Sequence, residues 1–429
     1  MTALWISTGV VTLALFIALE IAARRYGVSG PATSLAEEFV LAPKSGPGLY
    51  AGLALTMVVL SRRERYVAAG AAIAIDLFFI LLRWALHDEL SFGNGALWVM
   101  LGCAVTAVAR RTGGDRVLLL KGVGLGLLLI VGGKVGGTWL LITSHTRPLV
   151  LDQYVATADH ALGNPSWLVG RVVEWSGSVG SHLLDFVYDQ LAVAAVLVAL
   201  YQLRNVVRDR AFPVHHLVRT FLVIGLVGPA IYMIFPVVGP VFAYGSHGGG
   251  WAVADVWPHA LAFGAPQHMP FDAVTPRNCM PSLHTAWSTA LFIHSRKGPR
   301  LLRYAGTFWL VATLSATLGF GYHYGADLVA GVVFTLTIEA ALRAYDNNWD
   351  RKGIALVAYG VTVFAGLLLA YRFAATEMAA YPWFFGPLLI LVLLSVIYAF
   401  VRTTKLWSAV PVPAPRAAEQ QLVREPELV

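Results

Sequence analysis

Twelve apolar runs joined by short polar links make up most of the chain, centred on residues 4–23, 47–61, 66–86, 95–109, 117–143, 183–203, 215–236, 283–295, 301–320, 325–342, 353–371 and 382–401. Crossing a hydrocarbon core of about 30 Å as a helix takes roughly 20 residues, and most of the runs approach that length. None shows the strict alternation of a membrane β-strand. The pattern predicts an all-α, polytopic integral membrane bundle of about 12 transmembrane helices. The second, fourth and eighth runs are short, so they either extend into flanking polar residues or lie partly inside the bundle.

Composition agrees with this picture. Of the 429 residues 57 % are apolar and 13 % charged, too greasy for a soluble fold. The basic residues also orient the bundle. Arg62, Arg63 and Arg65 follow the second run, Arg110, Arg111 and Arg116 the fourth, and Arg204, Arg208 and Arg210 the sixth. Arg296, Lys297, Arg300 and Arg303 follow the eighth, Arg343, Arg351 and Lys352 the tenth, and Arg402 and Lys405 the last. The links 87–94, 237–282 and 320–326 hold almost no Lys or Arg, so the positive-inside rule puts both termini in the cytoplasm, with Arg24 and Arg25 dissenting. Positive charge distributed in this way orients a membrane protein and does not grip nucleic acid. Cys103 and Cys279 offer neither a disulfide pair nor a cysteine-based metal site. The first run lacks a basic start and reads as a retained helix, and the proline-studded tail reads as a disordered cytoplasmic end.

Two polar islands interrupt the pattern, NCMPSLHTAW at 278–287 and GYHYGADLVAG at 321–331. In this orientation both face outward. Pro281 suits the first turn of a helix, which leaves the backbone N–H groups of Ser282, Leu283 and His284 as donors at a helix N-terminus. Such an end attracts phosphate, and the Ser282 hydroxyl adds a donor. His323 and Asp327 stand four apart, on one face of a helix beginning there. A carboxylate bonded to one imidazole nitrogen fixes the tautomer and raises the basicity of the other, making it a nucleophile that can attack phosphorus. His284 is then the general acid, and later the base. Alone, each motif is weak, and a His-X3-Asp is at least as often a structural hydrogen bond. Clustered on one side of the membrane and separated by two antiparallel spans, the four residues should meet in space.

These residues resemble the type 2 phosphatidic acid phosphatase superfamily, whose second motif is Pro-Ser-X-His and whose third ends in His-X3-Asp. Here the motifs are Pro281-Ser282-Leu283-His284 and His323-Tyr324-Gly325-Ala326-Asp327. The resemblance implies a phosphoryl-transfer enzyme in which His323 is the nucleophile, His284 the acid and Asp327 the orienter of His323. It also implies a six-helix catalytic core over 117–345, flanked by accessory helices over 1–116, two C-terminal helices over 346–405 and the tail over 406–429. The family's first motif, Lys, six spacers and Arg-Pro, is altered: Tyr232 and Gly239-Pro240 stand at that spacing in YMIFPVVGP. Thr317 replaces the Arg six residues before the histidine, and Leu283 the usual glycine. PSLHTAW, YHYGADLVAG, LDQYVATADHALGNPSW and FPVVGP look like the inositol phosphorylceramide synthase-like branch, which moves a lipid headgroup phosphate to another hydroxyl.

With those cations missing, a singly charged phosphodiester suits the site better than a monoester. Arg277 is the first replacement candidate, ahead of Arg147 and Lys134, and Tyr232 is a further phosphate-binding candidate. The chemistry asks for no cofactor and no metal, and the spacing of His145, His160, His182, His247, His259 and His268 matches no ligand pattern. The expected partners are a bilayer lipid and a polyol or lipid acceptor. A lipid phosphate or isoprenyl pyrophosphate phosphatase is the nearest alternative; a proton-coupled transporter and an inactive scaffold are alternatives of another class. Asp76 and Arg83, a heptad apart, read as a structural pair that neutralises itself directly or through neighbouring helices, and Glu339 reads as structural. The glycines of VGLGLLLIVGGKVGG read as packing positions. The loop 237–282, with Trp251 and Trp257, reads as a lid or interfacial platform.

Overall fold

The structure, a computed structural model, describes residues 2–245, 266–272 and 274–408. The first helices are α1 (Thr2–Arg25), α2 (Pro31–Glu37), α3 (Gly46–Met57), α4 (Arg62–Leu86), α5 (Asn94–Arg110) and α6 (Gly113–Thr146). Then come α7 (Asp152–Asp159), α8 (Pro165–Asp189), α9 (Leu191–Leu203), α10 (Val206–Asp209), α11 (Leu217–Ile234) and α12 (Pro240–Tyr244). The last six are α13 (Leu283–Ser295), α14 (Arg300–Gly319), α15 (Gly325–Asp346), α16 (Arg351–Phe373), α17 (Ala375–Ala380) and α18 (Pro382–Ser408). Two short antiparallel strands, β1 (Leu149–Val150) and β2 (Gln267–His268), pair Leu149 with His268 and Val150 with Gln267. The protein is an all-α integral membrane bundle.

Among the described residues, seven helical segments are long and apolar enough to cross a membrane: α4, α6, Leu191–Asp209, α11, α15, α16 and α18. Every predicted run falls on helix, although the run at 183–203 straddles the break between α8 and α9 at Gln190. α8 as a whole escapes prediction because polar residues and a non-helical Gly177, at φ +66°, break its apolar period. Its apolar face packs on α14, where Val173 meets Ala316 and Phe320. α15 is the central helix. Of its apolar window 78 % is buried, against 22–39 % for the other six. Close approach to α13 depends on Gly331, where a Cβ would lie 2.8 Å from the Ser282 carbonyl oxygen.

The accessory helices are stitched by buried charge. Asp76 and Arg83 do not bond to each other; they grip neighbouring loops. The Asp76 carboxylate accepts from Tyr50 Oη at 2.7 Å and from the backbone N–H groups of Gly93 and Gly95 at 2.9 and 2.7 Å. Arg83 donates to the carbonyls of Ser91, Val40 and Leu41 and to Asn94 Oδ1. Each charge is thus satisfied without the other, as buried charges require. Lys134, in mid-helix on α6, finds Glu38 Oε1 at 2.6 Å and Ser45 Oγ at 3.2 Å. Only some of the α6 glycines serve packing. A Cβ at Gly126 would strike α3 and one at Gly122 would strike Val59 just beyond it, whereas one at Gly133 or Gly137 meets nothing within 4 Å.

Candidate active site

The two islands meet at the N-terminal end of α15. α13 begins at Leu283, so Pro281 lies before the cap and not within the first turn; the peptide Met280–Pro281 is cis. Ser282 is the cap, its Oγ accepting from the Thr285 N–H at 3.2 Å and its own N–H donating to the Asp327 carbonyl at 3.4 Å. Its oxygen therefore holds the helix start, the ordinary work of an N-cap serine. His284 follows in the first turn, and its ring centroid lies 6.5 Å from that of His323.

His323 sits in the turn before α15, 4 % exposed. Its N–H donates to the Thr317 carbonyl at 3.1 Å and its carbonyl accepts from Ser166 Oγ at 2.5 Å. Its Nδ1 faces the Cys279 carbonyl oxygen at 3.1 Å and Asp327 Oδ2 at 3.5 Å. Two acceptors on that side place the proton on Nδ1 and leave the lone pair on Nε2, which has no hydrogen-bond partner among the described residues. Burial pushes the His323 imidazole down to about 4, so it is neutral near pH 7.

Asp327 is held in turn. Oδ2 accepts from the Tyr324 N–H at 2.8 Å and from Cys279 Sγ at 2.5 Å, while Oδ1 is buried without a partner. Cys279 touches Asp327 and, at 3.3 Å, His323 Nδ1. Sequence reasoning weighed this thiol only for disulfides and metals and so missed it. His284 has its own missed support: Tyr188, at the end of α8, stacks on its ring at 4.0 Å and 19° and bonds Nδ1 at 3.1 Å. The Tyr188 oxygen can accept from Nδ1–H, so that His284, when protonated on both nitrogens, keeps Nδ1–H and has the Nε2 proton to give.

Beneath the turn, α7 supplies two buried carboxylates. Asp159 Oδ1 accepts from the Ala326 N–H at 2.8 Å, fixing the start of α15. Asp152 accepts from the N–H groups of Val238 and Gly239 and from Tyr324 Oη at 2.9 Å. Burial pushes both carboxyls up to about 7. Gly239 is needed here, because its φ is +102° and a Cβ would lie 2.3 Å from the Tyr322 carbonyl oxygen.

The remaining predicted residues take other positions. Tyr232 is buried under α13, where its hydroxyl donates to the Pro281 carbonyl at 3.2 Å and meets the Leu283 N–H. The guanidinium of Arg277 is buried and committed to the carbonyls of Thr275, Met269 and Pro270. Arg147 is exposed at the end of α6. Trp251, Trp257, His247 and His259 lie outside the described residues.

Among the described residues, two groups of side chains have donors close enough to hold a metal, Cys279 with His323 and Asp327, and His215 with His294 and Glu339. His145, His160, His182 and His268 belong to neither. In the second group Glu339 accepts from His294 Nε2 at 2.7 Å, Thr220 Oγ1 at 2.6 Å, His215 Nε2 at 2.9 Å and Arg343 Nε at 3.1 Å. Gln202, whose Oε1 is taken by the Leu217 N–H, turns its amide NH₂ to His294 Nδ1 at 2.9 Å. That keeps the proton on His294 Nε2, the nitrogen a metal would need bare, so the chemistry of this group is that of a hydrogen-bonded anion.

Fold and site together define an all-α integral membrane protein whose central helix starts among two histidines and a carboxylate. Residues 157–341 match the family model described as the PAP2 superfamily, and residues 3–142 one described as a domain of unknown function (DUF5933). The first match, over less than half of the chain, supports the PAP2 superfamily, whose members are phosphoryl-transfer enzymes, and the protein is accordingly read as an enzyme of phosphoryl transfer. No curated protein and no solved structure matches the chain.

Proposed function

We propose that the protein is a membrane lipid phosphotransferase, similar to inositol phosphorylceramide synthases, that works through a phosphohistidine at the extracytoplasmic face. The observation that carries this reading is the state of His323: Nδ1 is tied to the Cys279 carbonyl and Asp327, and Nε2 is bare. In the first step His323 Nε2 attacks the phosphorus of a phosphodiester, the P–O bond to the leaving alcohol breaks, and the His284 imidazolium gives its Nε2 proton to the departing oxygen, ending as a neutral imidazole with Nδ1–H on Tyr188. In the second, His284 takes the proton of an acceptor hydroxyl, whose oxygen displaces His323 from phosphorus. The placement of the face rests on the basic links, since Arg296 and Lys297 follow the end of α13 opposite His284.

Charge supports a diester over a monoester. The nearest cation in sequence, Arg277, gives three of its hydrogen bonds to backbone carbonyls, so a second negative charge on phosphorus finds little to offset it. The test is product analysis with purified protein and a panel of phospholipids, with and without myo-inositol, other polyols and a lipid hydroxyl acceptor, beside His323→Ala. Acceptor-dependent product lost in the variant supports the transferase. Free phosphate without acceptor makes the enzyme a phosphatase, and product that survives His323→Ala sinks the phosphohistidine.

A further inference from the structure

A cavity of about 970 Å³ lies between the accessory helices and the core, and His284 stands in its wall beside Tyr188, Asn278 and Tyr232. From there it follows α11 to Leu217 and Val218, at the helix's other end. The fifteen-residue interval from Leu217 to Tyr232 is about 22 Å of helix, most of a hydrocarbon core about 30 Å thick. Its length therefore runs as a lipid chain runs, from one face toward the other. At about 30 Å³ per water-sized group, the volume holds on the order of 30 methylenes, the content of two ordinary acyl chains.

The walls are built to leave this space open. Gly132, Gly133, Gly136 and Gly137 of α6 line the cavity, and at Gly133 and Gly137 a Cβ would meet nothing within 4 Å, as it would at Gly124 outside the cavity. Helix packing does not explain Gly133 and Gly137, in contrast to Gly122 and Gly126 on the same helix. Much of the wall below the level of His284 is apolar, with Leu129, Ala195, Phe221 and Leu222 among its residues, and Ser45 and Thr138 add polar positions. Of the cations that sequence reasoning put forward for phosphate, Lys134 is the one that borders this cavity; Lys44 borders it too.

We propose that the cavity holds the apolar chains of the lipid alcohol that leaves phosphorus, so that the accessory helices set which chain lengths are accepted. The inference rests on the phosphohistidine reading and adds to it the identity of the leaving group. His284 delivers the proton to the departing oxygen and lines the chain cavity, so the oxygen it protonates is the one that carries the chains. His323 Nε2 bonds to phosphorus, the P–O bond to the chain-bearing alcohol breaks with its electron pair on oxygen, and His284 supplies the proton. The first product is a diacylglycerol-type alcohol, and the headgroup phosphoryl stays on His323.

Gly133→Leu and Gly137→Leu grow side chains from cavity-lining positions where a Cβ meets nothing within 4 Å. With full-length purified enzyme, long-chain phosphatidylinositol should turn over at least about tenfold more slowly in these variants, as expected for losing two methylenes' worth of burial. Dihexanoyl phosphatidylinositol should turn over unchanged. Equal losses with both donors, or no loss with either, overturn the proposal, as does phosphatidic acid in place of diacylglycerol as first product. A second arm needs no catalysis: His323→Ala is photolabelled with phosphatidylinositol carrying a diazirine in its acyl chain. Adducts on the cavity faces of α6, α9 and α11 that disappear with Gly137→Leu support the chamber, and adducts confined to the outer surface overturn it. Labelled chamber without turnover of any donor by the wild type supports the chamber and overturns the transferase.

Discussion

Tyr188→Phe isolates a contact that no motif encodes. The substitution keeps the ring stacked on His284 at 4.0 Å and removes the hydroxyl that bonds Nδ1 at 3.1 Å. A neutral hydrogen bond of this kind contributes about 0.5–1.5 kcal/mol. If the bond orients the proton on His284 Nε2 in the transition state, that loss appears in the rate, about 2- to 13-fold at 1.36 kcal/mol per decade. KM should hardly move, because the ring and the cavity wall are intact. The assay is single-turnover phosphoryl transfer alongside thermal unfolding of the same preparation. A rate equal to wild type with a lowered Tm would make Tyr188 a packing residue only, and the assignment of His284 as a positioned acid would lose its structural support.

Three other outcomes are expected. Cys279→Ala removes the thiol donor to Asp327 Oδ2 and should slow transfer by about the same 2- to 13-fold, with Cys279→Ser restoring most of it; an inactive serine variant would contradict a positioning role. Asp159, held near 7 by burial, keeps its proton between about pH 4 and 7 while the unfolded chain loses it, so its contribution to stability is present below its ordinary pKa of 3.8 and is lost as pH rises through 7. Melting curves from pH 5 to 8 should therefore fall with rising pH by up to about 1.4 kcal/mol per unit from this group, a slope that Asp159→Asn flattens; an unflattened slope refutes it. Glu339→Gln puts an amide where four donors converge and should cost about 3–5 kcal/mol of stability with transfer per folded molecule unchanged, read by unfolding and by active-site-normalised rate.

What the sequence disclosed and what it hid follow from separation along the chain. His284, Ser282, His323 and Asp327 were legible because each pair shares one helix start, where spacing alone decides geometry. Tyr188, Ser166, Asp152 and Asp159 reach the same turn from helices that only tertiary packing brings there. The segment holding Asp152, Asp159 and Ser166 stood out by resemblance, but a carboxylate that caps another helix looks in sequence like any other. Arg277 stands between these cases, since its Nε is left without a partner among the described residues. Charge beside a motif suggested a phosphate ligand, whereas three backbone carbonyls already surround the guanidinium. The twelve apolar runs located helix throughout, yet among the described residues length and polarity admit seven segments as full spans. Short helices such as α13 carry the site, because a helix that starts below the surface brings its N-terminal groups into the bundle.

The two ends of α15 show how a functional polar cluster differs from a structural one in the same lipid-embedded core. Glu339 and Asp327 lie three turns apart on one helix, both buried and both beside histidine. Every oxygen of Glu339 accepts two hydrogen bonds, and its neighbour His294 has a partner on each ring nitrogen. Asp327 leaves Oδ1 unpartnered and His323 leaves Nε2 bare. A saturated network has nothing to offer a substrate, and removing one member costs stability. An unsaturated one is costly at rest in a medium without water, and that cost is recovered when a ligand supplies the missing bonds. On this argument chemistry belongs to the end of the helix whose valences are open, and Glu339 serves to hold α11, α13 and α15 together beneath it.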